Sequence, residues 1–240
     1  LFIILTWGIS EITGHLKHKK LFQSLSAVII VFILMIVTIN QVSLWRNSFS
    51  LFEHCLNVTT HNYIIHTNLG GVFLHTASDG TANASGNSEG AQINNPAISS
   101  LQKDNLDKAV YHFLRALEYN PNFTDARNNL GVALARQGKL DDAISNFRKA
   151  LLIRPDYVDA YNNLGSALAR QGNLDEAILT FKKSLQIKND DFMVHNNVGM
   201  ALFNKGNICE AREHFLEALK IEPYNREAQS NLYRVNNKIS

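Results

Sequence analysis

The sequence predicts an all-α solenoid of stacked helix pairs that follows a transmembrane helix. Three observations predict it. A motif recurs at equal intervals from Asn128, Asn162 and Asn196, small and bulky side chains sit in complement at fixed places within that period, and the stretch from Leu21 to Trp45 carries no charge. Leu101 to Ser240, by contrast, holds most of the chain's charged side chains. The overall averages of 45% hydrophobic and 18% charged therefore conceal two solvents, lipid and water. A net charge of +2 excludes a nucleic-acid binder, which needs a clustered cationic surface.

Residues 1–42 are expected to form the membrane region. Leu21 to Ile39 is the expected span, with an unbroken apolar core from Ala27 to Val37. As a helix it reaches roughly 28 Å, close to the ~30 Å hydrocarbon core of a bilayer. Lys17, Lys19 and Lys20 lie in the loop 11–20 before it, whereas Arg46 is the one cation from Asn40 to Leu69. By the positive-inside rule that loop is cytoplasmic and everything after Ile39 is periplasmic or lumenal. Leu1 to Ser10 reads as the end of a preceding helix. The chain starts at Leu1 without the charged region of a signal peptide, so the expectation is the C-terminal part of a longer polytopic membrane protein. Membrane lipid around 21–39 is an expected partner.

Residues 43–76 read as a degenerate half-repeat, with Ser48, Phe52 and Cys55 at small, bulky and small positions, followed by the first helix of a split repeat (Tyr63 to His75). Residues 77–102, rich in Ser, Asn, Gly and Ala, are expected to be a flexible insertion. The second helix of the split repeat is expected over 103–123, around Ala109, Phe113, Ala116 and Pro121.

Three tandem repeats fill 124–225. NNLGVALARQGKLDDAI starts at Asn128, NNLGSALARQGNLDEAI at Asn162 and NNVGMALFNKGNICEAR at Asn196, with no drift in the interval. Gly131, Gly165 and Gly199 on the first helices, with Ala143, Ala177 and Ala211 on the second, allow two helix backbones to approach closely. Phe147, Phe181 and Phe215 fill the gap, and Ala150, Ser184 and Ala218 follow them one helical turn on. Gly138, Gly172 and Gly206 supply the left-handed turn that ends each first helix, and Pro155 and Pro223 stop second helices, Asn189 replacing the middle one. Arg226 to Lys238 continues the register as a capping helix within 226–240, with Arg234 and Lys238 on a polar outer face.

These residues and their period resemble the tetratricopeptide repeat (TPR) family. The junction WRNSFSLFEHCLNVTTHNYIIHTNLG from Trp45, set between an apolar helix and repeats, further resembles the transmembrane and TPR-containing family, whose membrane half is similar to protein O-mannosyltransferases. That resemblance implies repeats facing the lumen or periplasm. It also offers an alternative function, the acceptor-presenting arm of a glycosyltransferase that uses a lipid-linked sugar. No catalytic residue carries over, because this chain has no loop that corresponds to the family's acidic one.

The candidate site is the groove lined by first helices. Asn68, Asn129, Asn163, Asn197 and Asn231 share one register position, and Asn128, Asn162 and Asn196 precede three of them. A row of carboxamides can grip the backbone of an extended peptide, each offering donor and acceptor. This row is similar to the one in O-GlcNAc transferase. It can equally bond the neighbouring helix, and both readings stand on the sequence. Arg136, Arg170 and Lys205 are expected to face solvent and complement the helix dipole. His54, His61, His66 and His75 have no metal-pair spacing, and no nucleophile sits with a base. The chain is expected to be no enzyme, to take no cofactor or metal, and to bind a protein or extended peptide.

Overall fold

The computed structural model describes residues 29, 32, 33, 35, 48–59, 61–82 and 96–239, and divides into two compact units, Leu1–Val58 and Thr59–Ser240. The expected span over 21–39 lies outside the described residues, apart from Ile29, Phe32, Ile33 and Met35. Those four are helical and 52–58% exposed. No helix among the described residues is long and apolar enough to cross a membrane. The first unit also contains helix α1 (Ser48–Val58), where the degenerate half-repeat was expected.

The second unit is a run of helices: α2 (Tyr63–Ala82), α3 (Pro96–Tyr119), α4 (Thr124–Arg136), α5 (Leu140–Ile153), α6 (Val158–Gln171), α7 (Leu174–Ile187), α8 (Phe192–Lys205), α9 (Ile208–Ile221) and α10 (Arg226–Ile239). They pair as α2–α3, α4–α5, α6–α7 and α8–α9, each pair stacking on the next, and α10 packs on the α8–α9 pair.

The expected insertion over 77–102 needs correction at both ends, since α2 runs on to Ala82 and α3 starts at Pro96 rather than at 103. Packing explains the extension of α2. Ala77 is buried, the Ser78 hydroxyl donates to the Leu74 carbonyl at 3.2 Å, and Arg136 reaches back to that same carbonyl at 2.9 Å and to Ser78 Oγ. Pro96 at the first position of α3 loses nothing, because the first N–H groups of a helix have no intrahelical partner.

Within each pair the glycine and the phenylalanine decide the approach. A Cβ on Gly70, Gly131, Gly165 or Gly199 would come within 2.5–2.7 Å of the ring of Phe113, Phe147, Phe181 or Phe215. All four rings are 0–1% exposed. Only a hydrogen at Cα leaves room for the ring, so close helix approach and ring burial are one event. Ser184, fully buried where its equivalents are alanine, donates its hydroxyl to the Val158 carbonyl at 3.3 Å. The first helices of the three tandem repeats are followed by Gly138, Gly172 and Gly206 at φ of 80°, 91° and 95°, the backbone that only glycine adopts without strain.

Successive first helices approach within 8 Å at their Cα atoms (α2–α4, α4–α6, α6–α8, α8–α10), whereas successive second helices do not. The stack therefore curves with the first helices inside. On the outer side the second helices splay, leaving a groove of about 560 Å³ walled by Val110, Leu114, Leu130 and Asn146. The exposed Arg148–Glu176 ion pair, 2.7 Å long, spans α5 to α7 across that side. Where α5 meets α6, Arg154 lies 3.4 Å over the Tyr157 ring and 2.9 Å from the Asp125 carboxylate. Burial, with Asp125 beside the hydroxyl, pushes the Tyr157 phenol up to about 12. Arg234 and Lys238 of the cap are exposed as expected, and each lies over the Phe203 ring.

Candidate functional site

The two asparagines of each NN pair do different jobs. Consecutive residues on a helix point about 100° apart, so both cannot face one groove. From the second tandem repeat onward, the asparagine at the second place donates from Nδ2 to Oδ1 of the first asparagine one repeat earlier. Asn163 donates to Asn128 at 3.0 Å, Asn197 to Asn162 at 2.9 Å and Asn231 to Asn196 at 3.1 Å. Asn128 and Asn196 are each 5% exposed and Asn231 is 6% exposed.

Asn128, Asn162 and Asn196 are thus acceptors inside the stack rather than lining for a groove. Asn128 also donates to Asn129 Oδ1 at 3.4 Å, and Asn196 to Glu227 Oε1 at 3.1 Å. The relay begins only at Asn128 because Thr67 holds the equivalent place in α2. Its hydroxyl donates to the Tyr63 carbonyl at 2.9 Å, and Asn68 beside it is exposed.

Asn163 and Asn197 remain half-buried on the inner face. Each uses one N–H of its carboxamide on the neighbouring repeat, and among the described residues neither Oδ1 accepts a hydrogen bond. At helical spacing around them lie Asp159, Ser166 and Arg170 on α6, and Met193 and Met200 on α8. The face is acidic at the start of α6, basic at its end and apolar on α8.

Arg136 and Arg170 are exposed as expected but do not end in solvent. Each donates to a carbonyl of the preceding first helix, Arg136 to Leu74 at 2.9 Å and Arg170 to Ala135 at 3.0 Å. Lys205 sits one register place further on, equivalent to Gln137 and Gln171. These three reach an aspartate of the preceding second helix, Asp107 in the middle of α3 (2.7 Å from Gln137), and Asp141 and Asp175 in the first turns of α5 and α7. A cation or amide there ties one repeat to the next, a pairing that spacing from helix ends alone does not show.

Histidines hold further pairings that the sequence reading missed. His66 bonds His112 and His195 bonds His214 through ring nitrogens. Reading the repeat register across every histidine of the chain, instead of spacings within one stretch, exposes them.

Models of the tetratricopeptide repeat match residues 101–138, 123–190 and 194–225. The chain carries tetratricopeptide repeats. The tetratricopeptide array is similar in fold to MamA, at 20% identity over 72% of this chain and 85% of that one, with a TM-score of 0.56. It is also similar to YrrB, whose structure is titled "a TPR protein with an unusual peptide-binding site", at 18% identity over 78% and 82% of the two chains and a TM-score of 0.54. PilF of Pseudomonas aeruginosa aligns at 19% identity over 72% and 70%, with a TM-score of 0.55. No curated protein matches the sequence.

Proposed function

We propose that this chain is a membrane-tethered tetratricopeptide module that binds an extended polypeptide on the extracytoplasmic side and supplies no chemistry of its own. The observation that carries the reading is the pair of inner-face carboxamides of Asn163 and Asn197, whose oxygens no protein group occupies among the described residues and whose orientation is fixed by the bond each makes behind it. Groups held this way meet a peptide N–H at little entropic cost. Curvature with the first helices inside sets them on a concave surface, and a structural neighbour is described as peptide-binding. The tether rests on the charge-free stretch from Leu21 and on the exposed, helical Ile29, Phe32, Ile33 and Met35.

The test of binding is Asn163→Ala combined with Asn197→Ala, read against an array of unstructured peptides. Loss of two backbone-directed hydrogen bonds is expected to weaken binding about tenfold or more. The loss should be uniform across peptide sequences, with the far-ultraviolet circular dichroism unchanged. Undiminished binding refutes the role. Topology has its own test. Protease added to sealed microsomes should leave the repeats intact, or, in a bacterium, protease added to spheroplasts should remove them; the opposite accessibility overturns the orientation. A second reading follows from the junction after Trp45: in a longer glycosyltransferase parent, the same face would present the acceptor polypeptide.

A further inference from the structure

Two histidine pairs occupy the same two places in different repeats. His66 on α2 and His195 on α8 share one register position, and His112 on α3 and His214 on α9 share another. The Nδ1 atoms lie 3.0 Å apart in the first pair and 3.1 Å apart in the second. In both pairs the ring centroids are 5.3 Å apart. That separation is close to the largest the nitrogen distances allow. The two nitrogens therefore meet head-on, as in an N–H···N hydrogen bond, instead of converging on a shared ion. Among the described residues no group of three or more metal-binding side chains could hold a metal.

The second pair reveals its tautomers. His195 Nε2 lies 3.0 Å from the Asn189 carbonyl oxygen, which can only accept, so Nε2 carries the proton. Nδ1 of His195 is then the acceptor and the Nδ1–H of His214 is the donor. Such a pair takes one more proton, on Nε2 of His214, without losing its bond. A further proton, on Nδ1 of His195, sets two N–H groups against each other and breaks it.

We propose that His66–His112 and His195–His214 are two acid-sensitive latches joining the first and second helices of their repeats, closed with up to one added proton and opened by the next.

The surroundings agree. Burial lowers His214, helped by His195 and by Lys182 of α7 and opposed by Glu210 and Glu217 of α9. Burial and then His66 hold His112 down to about 4, while burial and Arg115, against Glu118, lower His66. Phe73 stacks on His112, and Lys108 lies over the far ring. Since these values are depressed in the folded state, the opened state binds more protons below the ordinary histidine value of 6.5. Closure is complete above that value and is lost as pH falls below it, in the first pair toward about 4. Uptake of one proton per pair on opening changes the opening constant by up to about tenfold per pH unit.

The other two repeats supply both control and replacement, because they carry Arg127 with Asn146 and Tyr161 with Thr180 at these positions. Hydrogen exchange of the full chain in mild detergent, corrected for intrinsic rates, reads the opening between pH 7 and pH 5. Protection of α2–α3 and α8–α9 is expected to fall several-fold more than that of α6–α7. His195→Tyr with His214→Thr installs the pair that α6 and α7 already accommodate, and should flatten the response of α8–α9 while that of α2–α3 remains. His214→Asn, after Asn146, should do the same by a second route. A response that persists in α8–α9 of these variants, or an equal loss in α6–α7 of the wild type, overturns the proposal.

Discussion

Phe181→Ala is expected to destabilise the array by about 3–5 kcal/mol, the range for removing a buried aromatic ring, measured by urea unfolding. The ring is 1% exposed, and the neighbour it faces on α6 is Gly165. A glycine has no side chain to move into the void, so the site cannot collapse without shifting a helix. Because a solenoid repeat touches only its neighbours, the loss should be local and should split unfolding into separate transitions.

The reciprocal change, Gly165→Ala, places a Cβ 2.6 Å from Cε1 of that ring and is expected to cost about 1–3 kcal/mol through overpacking. The double variant should lose clearly less than the two single losses combined, since the added methyl partly fills the cavity that the other change creates. Strict additivity would show that the glycine is not there for the ring.

Asn196→Ala is expected to cost about 1–3 kcal/mol by leaving a buried partner unpaired, with the damage concentrated in the cap. Asn196 is 5% exposed, accepts from Asn231 at 3.1 Å and donates to Glu227 at 3.1 Å. Both partners lie on α10, which among the described residues packs on α8 and α9 alone. Limited proteolysis should therefore release α10 from the variant well before it cuts elsewhere. Asn128→Ala is the comparison. Its partner Asn163 is half-buried, so water can replace the lost acceptor and the effect should be smaller. Equal losses in the two variants would contradict this account of the relay.

Gly165 and Phe181 were legible because each repeat must solve the same packing problem, and the solution recurs at an interval that can be counted. The turn glycines and Pro155 were legible because their backbone restrictions act within a few residues. Helical structure at both ends of the expected insertion was not legible. At the α2 end it is held by Arg136 reaching Leu74 and Ser78 from a neighbouring repeat, a contact that composition does not encode.

The repeating unit, its period and the residues at each helix crossing follow from the sequence by itself, because close packing of two helices leaves few side chains that fit. Which face each asparagine serves, where Arg170 and Lys205 end, and the meeting of His66 with His112 were decided only by the tertiary structure. Those outcomes depend on how far one repeat is rotated against the next. That rotation arises from the stacking of whole helices, and it determines which polar groups come within hydrogen-bond distance.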